Sequence, residues 1–242
     1  MQLNIKNLNK SYLQNNGDSI TIFNNLNFET HKKENIILIL GPSGIGKSTF
    51  LNLVGTIDEP DSGQISLDNI VFEPKKFSMI RKKYISYMFQ FHYLLPEFTV
   101  FENLEIAIKI KNVNVSSKDL KTLIDNKLKK FNIYDKINHY PYQLSGGEKQ
   151  RVSLVRSVIT KPLIVLADEP TGNLDFENSL KIISEIKSLS EVDDIKFIIA
   201  SHDKNFESIA DTIYEVKDHQ LKKKYLEYKK IFIIYVNEQK VS

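Results

Sequence analysis

Gly41-Pro42-Ser43-Gly44-Ile45-Gly46-Lys47-Ser48-Thr49 decides the fold of this 242-residue chain. It has the form G-x-x-x-x-G-K-[ST]. Asn35-Ile36-Ile37-Leu38-Ile39-Leu40 before it is an apolar run suited to a buried strand, and Phe50-Leu51-Asn52-Leu53-Val54 after it keeps helical spacing. Strand, glycine loop and helix in that order separate a working phosphate-binding loop from a glycine-rich turn that matches by accident. The glycines let backbone N–H groups turn inward around phosphate oxygens, at a helix N-terminus that already favours anions. On this reading Gly41, Pro42, Ser43, Gly44, Ile45, Gly46, Lys47, Ser48 and Thr49 bind a nucleotide. Lys47 reaches the β- and γ-phosphates, and the Ser48 hydroxyl holds Mg²⁺.

Outside this stretch, the composition excludes more than it assigns. The length suits one large domain, or a core with an inserted subdomain. A net charge of +3, left from 33 basic and 30 acidic residues, gives no case for nucleic acid, which asks for a concentrated basic face. Cysteine is absent, so disulfides, thiolate metal sites and cysteine nucleophiles are excluded, in keeping with a reducing cytoplasm. No apolar run approaches the ~18–20 residues that cross a bilayer, and the first residues show no signal-peptide pattern. Any membrane role therefore comes through a partner.

Upstream of the loop, Leu3–Leu8 alternates in the manner of a half-buried strand, Asn15–Asp18 reads as a turn, and Ile20–Phe28 as a second strand. Downstream, Asp61-Ser62-Gly63 marks another turn before the alternating Gln64–Leu67. These pieces predict a small antiparallel sheet flanking the nucleotide core. Tyr12, between the first two strands, reads by itself as packing or surface more often than as site.

Ile85–Phe89 is a further strand, ending at Gln90. The aromatic-rich stretch Phe91–Phe98 follows, either a local core cluster or an exposed docking surface. From Val100 to Phe131 the spacing is helical, and its lysines read as a solvated face. Leu144-Ser145-Gly146-Gly147-Glu148-Lys149-Gln150-Arg151 then combines a capping box, Ser145 with Glu148, and two glycines at a helix mouth, which makes a second anion site. Leu163–Ala167 is an apolar strand closing on Asp168 and Glu169. Strand ends of this kind carry the ligands of open α/β sheets, so the two acids suit Mg²⁺ ligation and general-base work. Gly172–Asp175 forms a turn before a helix over Asn178–Leu189. Lys196–Ser201 is another buried strand, closing on His202, and Thr212–Val216 and residues around Leu221 are closing strands.

Taken in order, these motifs resemble those of the ATP-binding-cassette (ABC) ATPases over essentially the whole chain. The resemblance implies an α/β fold: a RecA-like P-loop parallel-sheet core, a flanking antiparallel β subdomain and an inserted α-helical subdomain. Core residues would be 1–90 and 156–221, the helical insertion 91–155, and 222–242 a tail. It also implies roles. Tyr12 stacks on adenine; Gln90 is the Q-loop glutamine; Ser145, Gly146, Gly147 and Glu148 belong to the signature motif; Asp168 is the Walker B acid; Glu169 is the catalytic glutamate. Asp175 falls in the D-loop and His202 is the switch histidine. Lys47, Gln90, Glu169 and His202 are then the catalytic set, and Ser48, Gln90 and Asp168 the Mg²⁺ set, with ATP as the nucleotide.

Two stretches narrow the resemblance. Asp168–Asp175 is similar to the branch of lipoprotein-releasing, macrolide-export and cell-division ATPases, and Gln90–Thr99 to the lipoprotein-releasing ATPases of Gram-negative bacteria. Implied partners are integral membrane transporter subunits and a second copy of the chain, whose Ser145 and Gly147 complete the opposite site. Lipoprotein cargo is handled only indirectly, and the chain sits peripherally on the cytoplasmic face of the bacterial inner membrane. Other readings are a macrolide, peptide or cell-division transporter of the same branch, or a soluble ABC ATPase acting on ribosomes or DNA. The latter proteins usually carry two cassettes or long coiled-coil insertions, and this sequence shows neither. A nucleotide switch without turnover fits poorly with intact Glu169 and His202. Two departures stand out: His31-Lys32-Lys33-Glu34 replaces a glycine-containing turn, and the lysine-rich tail ends in the apolar Ile231–Val236. That tail is either a strand added to a sheet edge near anionic lipid or a terminus without fixed structure.

Overall fold

All five residues of Ile36–Leu40 are buried, as a strand covered on both faces must be. The computed structural model describes residues 2–15, 17–111 and 116–224. In chain order the strands are β1 (Leu3–Leu13), β2 (Ser19–Glu29), β3 (Ile36–Leu40), β4 (Ser62–Leu67), β5 (Ile70–Val71), β6 (Ile85–Met88), β7 (Ile164–Asp168), β8 (Lys196–Ser201), β9 (Thr212–Lys217) and β10 (Gln220–Lys224). The α-helices are α1 (Lys47–Val54), α2 (Phe77–Lys83), α3 (Val100–Ile110), α4 (Ser117–Lys130), α5 (Gly146–Val158) and α6 (Phe176–Val192).

The strands make two sheets. One, ordered β2-β1-β4-β5, is antiparallel, as the alternating N-terminal sequence predicts. The other is ordered β10-β9-β3-β8-β7-β6; its last five strands run parallel and β10 pairs antiparallel with β9. Side-chain alternation on β3 divides the core. Ile37 and Ile39 pack with α1 and the antiparallel sheet, whereas Ile36, Leu38 and Leu40 pack with the helices on the other face. The chain thus has the expected α/β fold, a parallel sheet with an antiparallel β layer on one face and helices on the other.

Register places three strand ends together. Leu40 stands opposite Ser201, and Asp168 opposite Ala200, so the glycine loop, the paired acids and His202 all leave the sheet at its C-terminal edge. That edge is where open α/β sheets bind ligands.

The helical stretch read over Val100–Phe131 is two helices, each with its own hydroxyl cap. Thr99 accepts from the Glu102 N–H in a capping box, and Ser116 accepts from the Asp119 N–H. Such caps are worth about 1 kcal/mol each and set where helices start. The helix read over Asn178–Leu189 begins earlier, at Phe176, because Asp175 caps it. Helix α5 runs on through residue 155 and packs on β6 as well as on α3 and α4. The His31–Glu34 turn is held by side chains: the Glu34 carboxylate accepts from the His31 N–H (2.8 Å) and the Thr212 hydroxyl (2.6 Å). No residue of that turn has positive φ, so none of its positions requires glycine. The first tail residues, Lys222–Lys224, belong to β10; Ile231–Val236 lies outside the described residues. Among the described residues, no helix is long and apolar enough to cross a membrane.

Candidate active site

The glycine loop leaves β3 and enters α1 through backbone that side chains resist. Gly46 has φ 110°, and a Cβ there would stand 2.6 Å from the Ile22 side chain, so both conformation and space exclude other residues. Lys47 opens the helix and is buried. Its ammonium donates to the carbonyls of Gly41 (2.7 Å) and Pro42 (3.1 Å) and lies 3.4 Å from Glu169 Oε1. A cavity of about 280 Å³ opens beside it, lined by Ser43, Gly44, Gly46, Lys47, Ser48, Thr49, Gln90, Glu169 and His202. Four separate parts of the chain therefore meet at one small volume.

Opposite the loop stand the acids. Glu169 follows β7 with φ 44°, a left-handed conformation that costs a non-glycine residue about 1–3 kcal/mol and clusters at functional sites. Its N–H bonds the Ala200 carbonyl (2.8 Å), which fixes the turn. Glu169 Oε2 accepts from the Ser201 hydroxyl (3.0 Å) and the His202 N–H (3.3 Å), and His202 Nδ1 lies 2.9 Å away. Ser201 is fully buried and holds the carboxylate from behind. In the sequence Ser201 carries no motif of its own, and its one signal is a polar residue closing an apolar strand.

Burial pushes the Asp168 carboxyl up; the Ser48 hydroxyl bonded to it and the charge of Lys47 pull the other way, while Glu169 adds to the rise. Its Oδ1 is buried with no hydrogen-bond partner among the described residues. A hard cation suits that oxygen. Among the described residues no group of three His, Cys, Asp or Glu side chains could hold a metal by itself. The donor set here, one carboxylate, one hydroxyl and the Gln90 amide, is what Mg²⁺ takes when substrate phosphates and waters complete its shell.

The remaining sequence-predicted residues lie elsewhere. Ile45 is partly exposed and does not line the cavity, while Gly41 and Pro42 contribute carbonyls to Lys47. Tyr12 is half-exposed on β1, its hydroxyl shared between Asp58 and Thr49 at the margin of the loop. Ser145 and Glu148 form the capping box of α5, with the Ser145 N–H donating to Glu148 Oε2 (2.7 Å). A Cβ on Gly147 would lie 3.0 Å from the Asn178 side chain, and Gly146 faces Asn173 and Leu174. Asp175 in turn accepts from the Asn178 backbone N–H (2.9 Å) and side-chain amide (2.7 Å). The signature stretch and the Asp175 turn thus pack on each other through Asn178, and none of them lines the cavity of their own chain.

The aromatic stretch after Gln90 is surface. Phe91 and Tyr93 are 65% and 61% exposed, with Leu95 and Phe98 less so. Leu94 packs on the core and the Tyr93 ring lies edge-on to Phe89, and polar contacts fix the backbone. His92 and Tyr93 take left-handed φ of 58° and 44°, and the Arg156 guanidinium donates to both their carbonyls. The buried Asn103 side chain donates to the carbonyls of Leu95, Phe98 and Thr99 and accepts from the Leu95 N–H. Beside the stretch is a cavity of about 470 Å³, floored by Ile57, Ile85, Tyr87, Phe89 and Tyr93 and closed by Ile110 of the helical insertion. The Lys111 ammonium ties the two lobes there, donating to the carbonyls of Arg81 (2.8 Å) and Ile85 (2.6 Å).

Known proteins repeat this architecture. A family model described as "ABC transporter" matches residues 23–172. The lipoprotein-releasing system ATP-binding protein LolD of Buchnera aphidicola is 40% identical over 219 residues, covering 89% of this chain and 94% of its own. LolD of Francisella tularensis subsp. holarctica is 38% identical over 222 residues, with 90% and 95% covered. Among solved structures, the dimeric bacterial ABC transporter cassette MJ0796 matches with TM-score 0.82 at 33% identity, over 90% of this chain and 96% of that one. The dimeric post-hydrolysis state of MJ0796 bound to ADP and Pi matches with TM-score 0.84 at 32% identity, over 93% and 99%.

Proposed function

The chain belongs to the ABC transporter family, and from that premise we propose that it is the ATP-hydrolysing subunit of a transporter that releases lipoproteins from the bacterial inner membrane. The observation that carries the reading is the single cavity into which Lys47, Ser48, Gln90, Glu169 and His202 converge from distant parts of the chain. The LolD relatives supply the narrower branch.

ATP enters with its phosphates against the backbone N–H groups of Gly44–Thr49, at the mouth of α1. Lys47 turns from the Gly41 and Pro42 carbonyls to the β- and γ-phosphates and neutralises charge developing between them. Ser48, Gln90 and Asp168 would hold Mg²⁺, which would further neutralise the phosphate oxygens. Glu169, freed from Lys47, accepts the proton of the attacking water. Ser201 keeps its second oxygen oriented, and His202 sits at the γ-phosphate side. Phosphoryl transfer depends mostly on positioning and charge stabilisation, which is why separate strand ends must meet.

Two copies associate head to tail, each offering Ser145 and Gly147 to the nucleotide of the other. Membrane subunits seat against the exposed aromatic stretch and the cavity beside it, between the core and the helical insertion. Nucleotide binding and hydrolysis then shift the pair between closed and open states, and the membrane subunits turn that shift into extraction of cargo. The chain works peripherally, on the cytoplasmic face. Purification of the tagged chain from detergent-solubilised membranes of its source tests this. Integral subunits of a lipoprotein-releasing transporter are expected in the complex; subunits of a macrolide exporter or of a division complex would replace the assignment.

A further inference from the structure

Two side chains outside the cavity, beside Thr49 within it, fix the ring of Tyr12. Its hydroxyl donates to Asp58 Oδ2. The other carboxylate oxygen of Asp58 accepts from the Lys10 ammonium (2.8 Å) and the Glu59 N–H (2.7 Å). Lys10 also donates to the Glu59 carbonyl (2.8 Å), and its nitrogen stands 4.7 Å from the centre of the Tyr12 ring. One face of the ring is thereby covered by a cation.

The arrangement is tied to the phosphate side. Asp58 lies on the loop leaving α1, where the N–H groups of Ile57 and Asp58 bond the Asn52 carbonyl at 2.9 and 3.2 Å. The same helix begins at Lys47, so hydrogen bonds connect the ring to the element that the phosphate loop enters. Lys10 is 7% exposed, which is unusual for a lysine. A part-buried ion pair such as Lys10–Asp58 adds little net stability, because desolvation offsets most of the attraction. Its geometric effect is larger: an anchored hydroxyl removes the ring's freedom before anything stacks on it, and preorganisation of this kind lowers the cost of binding.

We propose that Lys10 and Asp58 are positioning residues for the nucleobase, holding Tyr12 as a fixed platform whose uncovered face receives a planar base. This rests on the reading that Tyr12 faces the base of ATP. Neither residue touches the nucleotide; each acts through the tyrosine. The platform contributes to every nucleotide with a base and to no base-free phosphate ligand.

Steady-state ATPase kinetics of the full chain tests it, with ADP and tripolyphosphate as competitive inhibitors. Asp58→Asn and Lys10→Met should each raise KM for ATP and Ki for ADP by about three- to tenfold, part of what a base–aromatic stack is worth. Their kcat and their Ki for tripolyphosphate should stay at the wild-type values. Tyr12→Phe, which lacks the anchoring hydroxyl and with it the Thr49 contact, should lose at least as much as Asp58→Asn, and combining the two should add nothing beyond Tyr12→Phe. Equal losses for ADP and tripolyphosphate would show that the cluster merely supports the loop, and no loss for either would show that the ring needs no anchor; both results overturn the proposal. Tyr12→Ala separates the underlying reading. If it binds ADP as wild type does, Tyr12 is not a base platform and the proposal falls with that reading. If it binds weakly while Asp58→Asn binds normally, only the positioning role falls.

Discussion

Glu169 is fully engaged before any substrate arrives. Lys47 stands at one of its oxygens, while Ser201 and both the backbone and ring nitrogens of His202 stand at the other. A carboxylate so held has one orientation, at the end of a strand whose turn is itself strained. Glu169→Gln keeps the shape and loses the base, so ATP should still bind while phosphate release falls by about 10²-fold or more. Filter binding beside a phosphate-release assay checks this, and wild-type turnover in the variant would remove Glu169 from the chemistry. A second residue-scale effect lies away from the site. Burial pushes the Glu185 carboxyl up to about 7 against the opposing charge of Arg151. The folded state thus favours the protonated form. Its contribution to stability is complete below the ordinary carboxylate value and is lost as pH rises through 7. Glu185→Gln should therefore gain stability relative to wild type as pH climbs from about 5 to 8, by about 1–2 kcal/mol once partial exposure is discounted. Denaturant melts at the two pH values measure the difference; a gap that does not change with pH would place Glu185 in solvent.

At the scale of elements, the segment from Phe91 to Phe98 shows where sequence reading stops. Strand, loop and helix around Lys47, the capping box at Ser145 and the strand ending in Asp168 and Glu169 were legible because their signals are local: glycine spacing, cap chemistry and unbroken apolar runs. Aromatics around a proline carry no such signal, since core and docking surface use the same residues. What decides between them is long-range. Arg156 and Asn103 hold the segment by its carbonyls, and neither contact leaves a periodic trace. The same holds for Ser201, whose value depends on where Glu169 turns, and for the split of the helical stretch into α3 and α4. The segment should accordingly respond in two ways. Asn103→Ala leaves the part-buried Leu95 N–H and Phe98 carbonyl unpaired and should cost roughly 1–3 kcal/mol, read as a fall in Tm. Tyr93→Ala and Leu95→Ala remove exposed apolar anchors, and should leave Tm and basal ATPase near wild type while weakening co-purification with the membrane subunits. A large drop in Tm for Tyr93→Ala with assembly retained would return the aromatics to the core.

For the whole molecule, the telling fact is a separation. The cavity at the C-terminal edge of the parallel sheet gathers Lys47, Ser48, Gln90, Glu169 and His202, while Ser145, Gly147 and Asp175 form a second cluster, packed through Asn178, that does not line it. Ser145 is exposed at a helix mouth with N–H groups to offer, and nothing in its own chain brings a phosphate to it. A head-to-tail pair resolves this, since each chain then presents its exposed helix mouth to the cavity of the other. Such an arrangement makes each site composite, and composite sites can be scrambled. With Glu169→Gln in every chain to block turnover, Lys47→Ala chains would lack the loop function in both sites of a homodimer. Ser145→Arg chains would likewise lack the signature function in both. Mixing the two puts both defects in one site of the heterodimer and leaves the other site intact. Labelled ATP retained after rapid gel filtration should then be near zero for each homodimer and about one per dimer in the mixed species, isolated through two different tags. If Ser145→Arg homodimers retain ATP as fully as the parent, the signature helix does not serve a partner's nucleotide. If the mixed species retains none, each chain completes its own site, and the separation seen here would have to close within one molecule.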